Sequence, residues 1–355
     1  MQTERVEVTA GGSTVSDWQV VRVRAAMNEA CRSFTLEFSG KDRSGAKRFP
    51  PFSELKISAS GDPLFNGHVY VRKPHLSAKK ATLHIAGRSK GAKAVDCSAD
   101  HKTGRFEKKD PLAIAKELDE DGDVEWSSDI DLDKLDEYQI QPGASPFREV
   151  ERLCREQGAT LSGQPNGGIK ITNASKAKKH AGGLYEGQTV IEWNCDHNCE
   201  NRHKKTKVRG QKYDGHGKDN TQIEQTAPDD DVSLNRTRIL VMDGDATKAR
   251  AKKRAETLRD RAAGAAIRAT ALVVGWRDEN GTLWTPGYLV WTESDFNDLA
   301  QDMLIEAVDY EQTPGQGDHG TTAHLHLVDP RAYGGKAGKG NKSGSMWGVD
   351  DSEAT

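Results

Sequence analysis

Side-chain alternation governs the first 90 residues. Phe34, Leu36 and Phe38 fall on one side of an extended segment, and Val21 and Val23 on one side of another, with Trp18 close to the same phase. Apolar residues at a spacing of two mark strands with one buried face. Segments around Val6 and Val8, Leu55 and Ile57, Val69 and Val71, and Leu83 and Ile85 continue the pattern. Gly11-Gly12, the glycine-bounded stretch 40–45, Gly61-Asp-Pro63 and Asn66-Gly67 separate them. Five or six short strands at this spacing predict a small antiparallel barrel or sandwich.

The period then changes. Asp110 followed by Pro111 reads as a capped helix start, with Leu112, Ala115 and Leu118 on one face. Pro146-Phe147 opens a second helix to about Gln157, with Phe147, Val150, Leu153 and Cys154 apolar and Gly158 placed as its terminating glycine. A hairpin across Pro165-Asn-Gly-Gly168 follows, and 174–183 reads as a linker. Strands return at 189–193 and 206–211, while 213–235 reads as a polar loop. A long helix is expected at about 246–263, with Asp243 and Asp245 suiting its positive end. The segments 269–276 and 289–291 flank Asn280-Gly281, a hairpin signal, and 304–310 with 321–328 reads as an antiparallel pair. The fold class is therefore α+β, mainly β. The expected parts are a β-barrel at 1–95, an α+β domain at 96–180, a second β-rich domain at 181–330 and a flexible tail at 331–355.

Composition narrows the function. The 355 residues carry 51 Lys plus Arg against 54 Asp plus Glu, and only 35% are apolar. A balance this close to neutral argues against a surface devoted to phosphate contacts. No run of about 18 apolar residues is present, and MQTERVEV lacks the apolar stretch of a secretory signal, so no membrane anchor is expected. A long chain this polar is expected to form small domains or subunits that complete their cores by assembling.

Chemistry-bearing clusters are few. Cys31, Cys97 and Cys154 read as small buried apolar residues. Cys195, His197 and Cys199 are the weak metal candidates, with His180 and His203 as unsupported further ligands. Cys195 or Cys199 is also a candidate for an intermolecular disulfide. The stretch 117–137 holds eleven acidic residues and one lysine. Asp119, Asp121 and Asp123, and Asp129, Asp131 and Asp133, share calcium-loop spacing, but the required glycine and final glutamate are missing from both. A solvated acidic face is the simpler reading, and such a face would also let DNA slide past without sticking. Arg202 to Arg209, and the helix residues Lys248 to Arg261, are basic without forming one stripe. His324 and His326 would share a strand face near His319. Glu186 and Glu192 are the only carboxylate pair that suggests glycan cleavage, and nothing supports the pairing. No cofactor motif is present. Met346 and Trp347, in a glycine-rich tail, read as an anchor for a partner chain.

Several segments resemble a known family. Ala86 to Gly104, Tyr138 to Thr172, Val208-Arg-Gly-Gln211, Gly281-Thr-Leu-Trp-Thr-Pro-Gly287, Gly320 to Pro330 and Ala332-Tyr333 are similar, in order, to the Mu-type baseplate hub of contractile phage tails, the phage tail protein P family. The Cys195–Cys199 cluster, the acidic run and the tail depart from it. The resemblance implies two tube-like β-barrel domains with smaller α/β domains. It further implies a non-enzymatic homotrimer that joins a sixfold tail tube to a threefold central spike, contacts other baseplate proteins and surrounds a channel through which genomic DNA passes without specific binding. The expected location is the virion baseplate, after assembly in the host cytoplasm. The alternatives are a metal- or disulfide-dependent binding module and a spike-associated cell-wall hydrolase.

Overall fold

The structure is a computed structural model, and it describes residues 4–15, 18–39, 49–212, 222–315, 320–337 and 340. The first strand block contains β1 (Val6–Ala10), β2 (Ser13–Val15), β3 (Trp18–Ala26), β4 (Ser33–Ser39), β5 (Glu54–Ala59), β6 (Asp62–Leu76) and β7 (Ala81–Ser89). Each expected strand of this block is present, and Val8, Val21, Leu36, Leu55, Val69 and Ile85 are buried as their phase requires.

A helix-containing segment follows. It holds α1 (Ala92–Asp96), β8 (Arg105–Lys109), α2 (Pro111–Leu118), β9 (Trp126–Ser128), β10 (Leu135–Gln139), α3 (Pro146–Glu156), β11 (Thr160–Gly163) and β12 (Ile169–Thr172). The Asp110 side chain accepts from the Ala113 amide and the Ser145 side chain from the Arg148 amide, so both helices start at a capped proline. Gly158 is left-handed at φ 79°, ending α3. The expected hairpin forms between β11 and β12.

The last part contains β13 (Lys179–Tyr185), β14 (Val190–His197), β15 (Lys205–Gln211), β16 (Ile223–Pro228), β17 (Thr237–Asp245), α4 (Lys248–Gly264), β18 (Ile267–Val274), β19 (Leu289–Ser294), β20 (Leu299–Gln312) and β21 (Thr321–Val328). The long helix stands where it was expected, with the Thr247 hydroxyl accepting the Arg250 amide at its start. Three expectations are corrected. The second half of the linker expected at 174–183 is the start of β13, which pairs with β19 through backbone groups that the lysine-rich composition concealed. Part of the expected loop at 213–235 is β16, whose Ile223 and Ala227 pack under α4. The Asn280-Gly281 turn does not join two long strands. Asp278 accepts the Asn280 and Thr282 amides and closes the turn locally at the Arg277–Leu283 bridge. β18 then pairs with β14 and β21, and β19 with β13 and β20.

The two strand blocks form one sheet of thirteen strands, in the order β14-β18-β21-β20-β3-β4-β7-β6-β5-β1-β2, with β19 and β13 attached through β20. One apolar core runs beneath both, from Val6 to Leu327. The helix-containing segment has its own cores, one around Val150, Cys154, Leu161 and Ile171, another around Phe106, Ile114 and Leu153. α4 covers a separate sheet of order β16-β15-β17. Among the described residues no helix is long and apolar enough to cross a membrane.

Candidate functional site

The joint between the strand blocks lies on β20. Along one edge, Leu299 to Leu304 pair with β19, then Ala307 to Gln312 pair with β3. The change of partner falls at Glu306, in an irregularity of the β20–β21 register. The Glu306 carbonyl accepts the Met27 amide at 2.7 Å, and its carboxylate holds Arg268 at 2.6 Å and the Tyr333 hydroxyl at 2.5 Å. Glu306 thus ties four segments at the point where one strand replaces another.

The two faces of the joint differ. Inside, Val23 lies opposite Tyr310 and Ala25 opposite Val308, all buried. Outside, Arg22 makes a two-point pair with Glu311 at 3.0 and 2.9 Å. Beside it, Arg24 reaches both oxygens of Asp309, and Asp309 also meets His326 at 2.8 Å. Burial alone would raise the Asp309 pKa, but the hydrogen bonds from His326 and Arg24 outweigh it and hold the carboxyl below its usual value. A dry inner face with a charged ladder outside fixes register, because a one-residue slip would bury the ladder.

Trp284 closes the same joint. Its carbonyl accepts the Tyr310 hydroxyl, while the Trp276 ring packs edge-on to Tyr310 and donates to the Thr322 carbonyl at 2.8 Å. Behind it, His180 is buried against Trp284 and Tyr288. Its Nε2 accepts the Thr285 amide, so Nδ1 donates to Asp278 at 2.8 Å. The Gly281–Gly287 stretch therefore works as a packed corner.

The cysteine cluster is only partly assembled. Cys195 and His197 share one face of β14, with Sγ and Nε2 3.3 Å apart, and Nε2 also meets the Asn297 carbonyl at 3.1 Å. Cys199 lies beyond the strand, exposed, in the turn closed by Arg202. Burial pushes the Cys195 thiol up to about 11. Among the described residues no three His, Cys, Asp or Glu side chains converge as metal ligands. The acidic loop has a protein cation at its centre: Lys93 Nζ lies 2.9 Å from Asp121, 2.8 Å from Asp123 and 3.8 Å from Asp119. Asp119 also accepts the Val124 amide. Cys154 is buried as expected, with its thiol pushed up to about 12, but Cys97 is exposed because it terminates the short surface helix α1.

Two family models match. Residues 92–173 match the second domain of baseplate hub protein gp44-like proteins, and residues 247–335 match the fourth domain of the Mu phage baseplate assembly protein GpP. Both stretches are thus similar to domains of Mu-type baseplate hub proteins. Baseplate hub protein gp44 of Escherichia phage Mu is 23% identical over 300 residues, covering 80% of this chain and 78% of gp44. A 43 kDa tail protein of prophage MuSo2 from Shewanella oneidensis has the same fold, with a TM-score of 0.81 at 23% identity over 93% of this chain and 99% of that chain. A tail protein from Neisseria meningitidis MC58 gives 0.79 at 16% identity, over 94% and 98%.

Most of the chain's charged motifs have internal work. Arg202 is buried and grips Asp229 with two nitrogens, and Lys207 and Arg209 share Glu224. Arg254 and Arg261 of α4 donate to the Arg155 and Ala159 carbonyls, packing the helix on the α3 region. Burial lowers the pKa of both arginines. His326 pairs with Asp309, while His319 lies outside the described residues, as do Met346 and Trp347. Glu186 accepts from Ser294 and the Phe296 amide, which hold its pKa low, the opposite of what a glycosidase acid needs. Glu192 accepts from Asn194. Sequence reading missed Glu149, a buried carboxylate on α3 that accepts the Tyr138 hydroxyl and pairs with Arg152. Its place on the apolar face of that helix was the available signal.

Proposed function

We propose that three copies of this chain form the hub of a contractile phage tail, joining a sixfold tail tube to a threefold central spike around a channel for genomic DNA. The observation that carries this reading is the β3–β20 joint. It sets two strand-rich blocks side by side in one sheet, so three chains supply six blocks in alternating order. The parts would be 1–95 and 181–330 as tube-forming regions, 96–180 as the segment that widens the ring, and 331–355 as a tail that binds a neighbour through Met346 and Trp347. The partners would be the tube protein, the spike protein and other baseplate proteins. Near-neutral charge suits DNA passage without specific binding. The role is structural and non-enzymatic, in the virion baseplate after cytoplasmic assembly.

Light scattering of the purified chain tests the stoichiometry. A mass near three times 38.9 kDa is expected. A monomer at every concentration, together with no threefold ring in images of the assembled baseplate, would sink the proposal.

A further inference from the structure

A cleft of about 220 Å³ opens where β11, β12 and the segment after them meet the Thr285-Pro286-Gly287 corner. Four cationic side chains line it, Arg32, Lys170, Lys176 and Lys178, against one carboxylate, Asp129. Asp129 is already engaged. Its Oδ2 meets Lys170 Nζ at 3.0 Å and the Thr172 hydroxyl at 3.1 Å, and its carbonyl accepts Lys176 at 3.4 Å. Lys178 stands over the Tyr288 ring at 5.9 Å with no carboxylate within ion-pair distance among the described residues.

Arg32 is the decisive member. It is only 5% exposed, yet no carboxylate among the described residues pairs with it. Nε donates to the Gly163 carbonyl at 3.1 Å and Nη1 to the Leu64 carbonyl at 2.9 Å. Nη2 donates to no described residue. Buried arginines ordinarily have a charge partner, since carbonyl dipoles only partly replace lost hydration. Arg202 of the same chain shows the usual solution, with Asp229 gripped from two sides. Burial lowers the Arg32 pKa to about 10, which leaves it cationic at neutral pH.

We infer that this cleft binds a phosphate-class oxyanion, with Arg32 at its base and Lys176 and Lys178 at its mouth. Three positive charges remain unmatched after Asp129, so a doubly charged anion balances the cleft better than a singly charged one. The planar arginine fork matches oxyanion geometry, and the lysines add mobile charge at the rim. The bound anion would bridge the helix-containing segment, through Lys170 and Lys176, to the sheet block that carries Arg32. The inference does not depend on how many copies assemble.

Thermal unfolding of the full chain tests it, with inorganic phosphate titrated against chloride at constant ionic strength. Phosphate should raise the midpoint in a saturable manner, as expected for a ligand of the folded state. Two lysine contacts to the anion are lost in the Lys176→Met, Lys178→Met variant, which should bind about tenfold more weakly or worse. Both substituted lysines are exposed, so the variant is expected to fold. Dimethyl phosphate, a singly charged diester, forms the second arm and should act more weakly. An equal phosphate response in the lysine variant, a matching response to chloride, or a dimethyl phosphate response as large as that of phosphate would overturn the assignment.

Discussion

Arg24 and Asp309 stand directly opposite each other on β3 and β20, with their charged groups 2.9 Å apart, across the line where the two strand blocks become one sheet. The sequence positions lie far apart, so this pair reports on long-range register alone. Both side chains are about 38% exposed, which limits what the pair contributes.

Replacing Asp309 with Asn should cost about 1 kcal/mol at pH 7, the upper range for an exposed pair. The Asp309 pKa is held below its usual value, so its contribution is present above the unfolded pKa of about 3.9 and disappears as the pH falls through the folded value. Urea unfolding at pH 7 and pH 3 should show the wild-type advantage shrinking at the lower pH. An advantage of the same size at both would remove this account.

His180 predicts a loss in the same direction, but at higher pH. Burial lowers its pKa despite the Asp278 hydrogen bond, so the unfolded chain takes up the proton first as the pH drops below about 6.5. The folded state should lose stability from pH 7 toward pH 5, and His180→Gln should flatten that slope. Asp278→Ala leaves a buried N–H without its acceptor and should cost about 1–3 kcal/mol at pH 7. Parallel slopes for wild type and His180→Gln would contradict the assignment.

Leu325 is completely buried between the paired strands β18 and β20. Leu325→Ala should destabilise by about 2–5 kcal/mol through lost burial and a residual cavity. Because one core underlies both blocks, a single cooperative loss is expected across probes placed in either. Separate transitions for the first and last blocks would show that the cores are energetically independent.

Thiol labelling should separate the cysteines. Cys97 and Cys199 are exposed, whereas burial pushes Cys195 up to about 11 and Cys154 up to about 12. Peptide-resolved mass spectrometry after brief iodoacetamide treatment at pH 8 should find Cys199 modified at least about tenfold faster than Cys195, since only the thiolate reacts. An intermolecular disulfide in assembled particles would then be expected through Cys199. Faster modification of Cys195 would reverse that expectation.

Periodicity and capping carried most of the local structure. The alternation of Phe34, Leu36 and Phe38, and the Asp110-Pro111 and Ser145-Pro146 starts, are written in neighbouring residues. What neighbours cannot encode is which edge meets which. Asn280-Gly281 signalled a hairpin, yet Asp278 closes the turn over five residues and frees the flanking strands for other partners. β13 was hidden because its pairing uses backbone groups, and its lysines and glycines suggested a linker. The Asp119–Asp123 spacing suggested a cation site, and the cation proved to be Lys93, 26 residues before Asp119. The Arg32 cleft gives no local signal, since its charges come from β-strand ends and a connecting segment distant in sequence.

The β3–β20 joint also sets a schedule for synthesis. Ala26 leaves the ribosome about 280 residues before Ala307, its partner. At about 5–20 residues per second, the edge of β3 waits roughly 15 to 55 s with its hydrogen-bonding groups unclaimed. An open strand edge is a template for mispairing with another nascent chain. The alternating Arg22 and Arg24 on that edge put like charges on any second copy that approaches in the same register, which disfavours premature self-pairing until β20 arrives with Asp309 and Glu311.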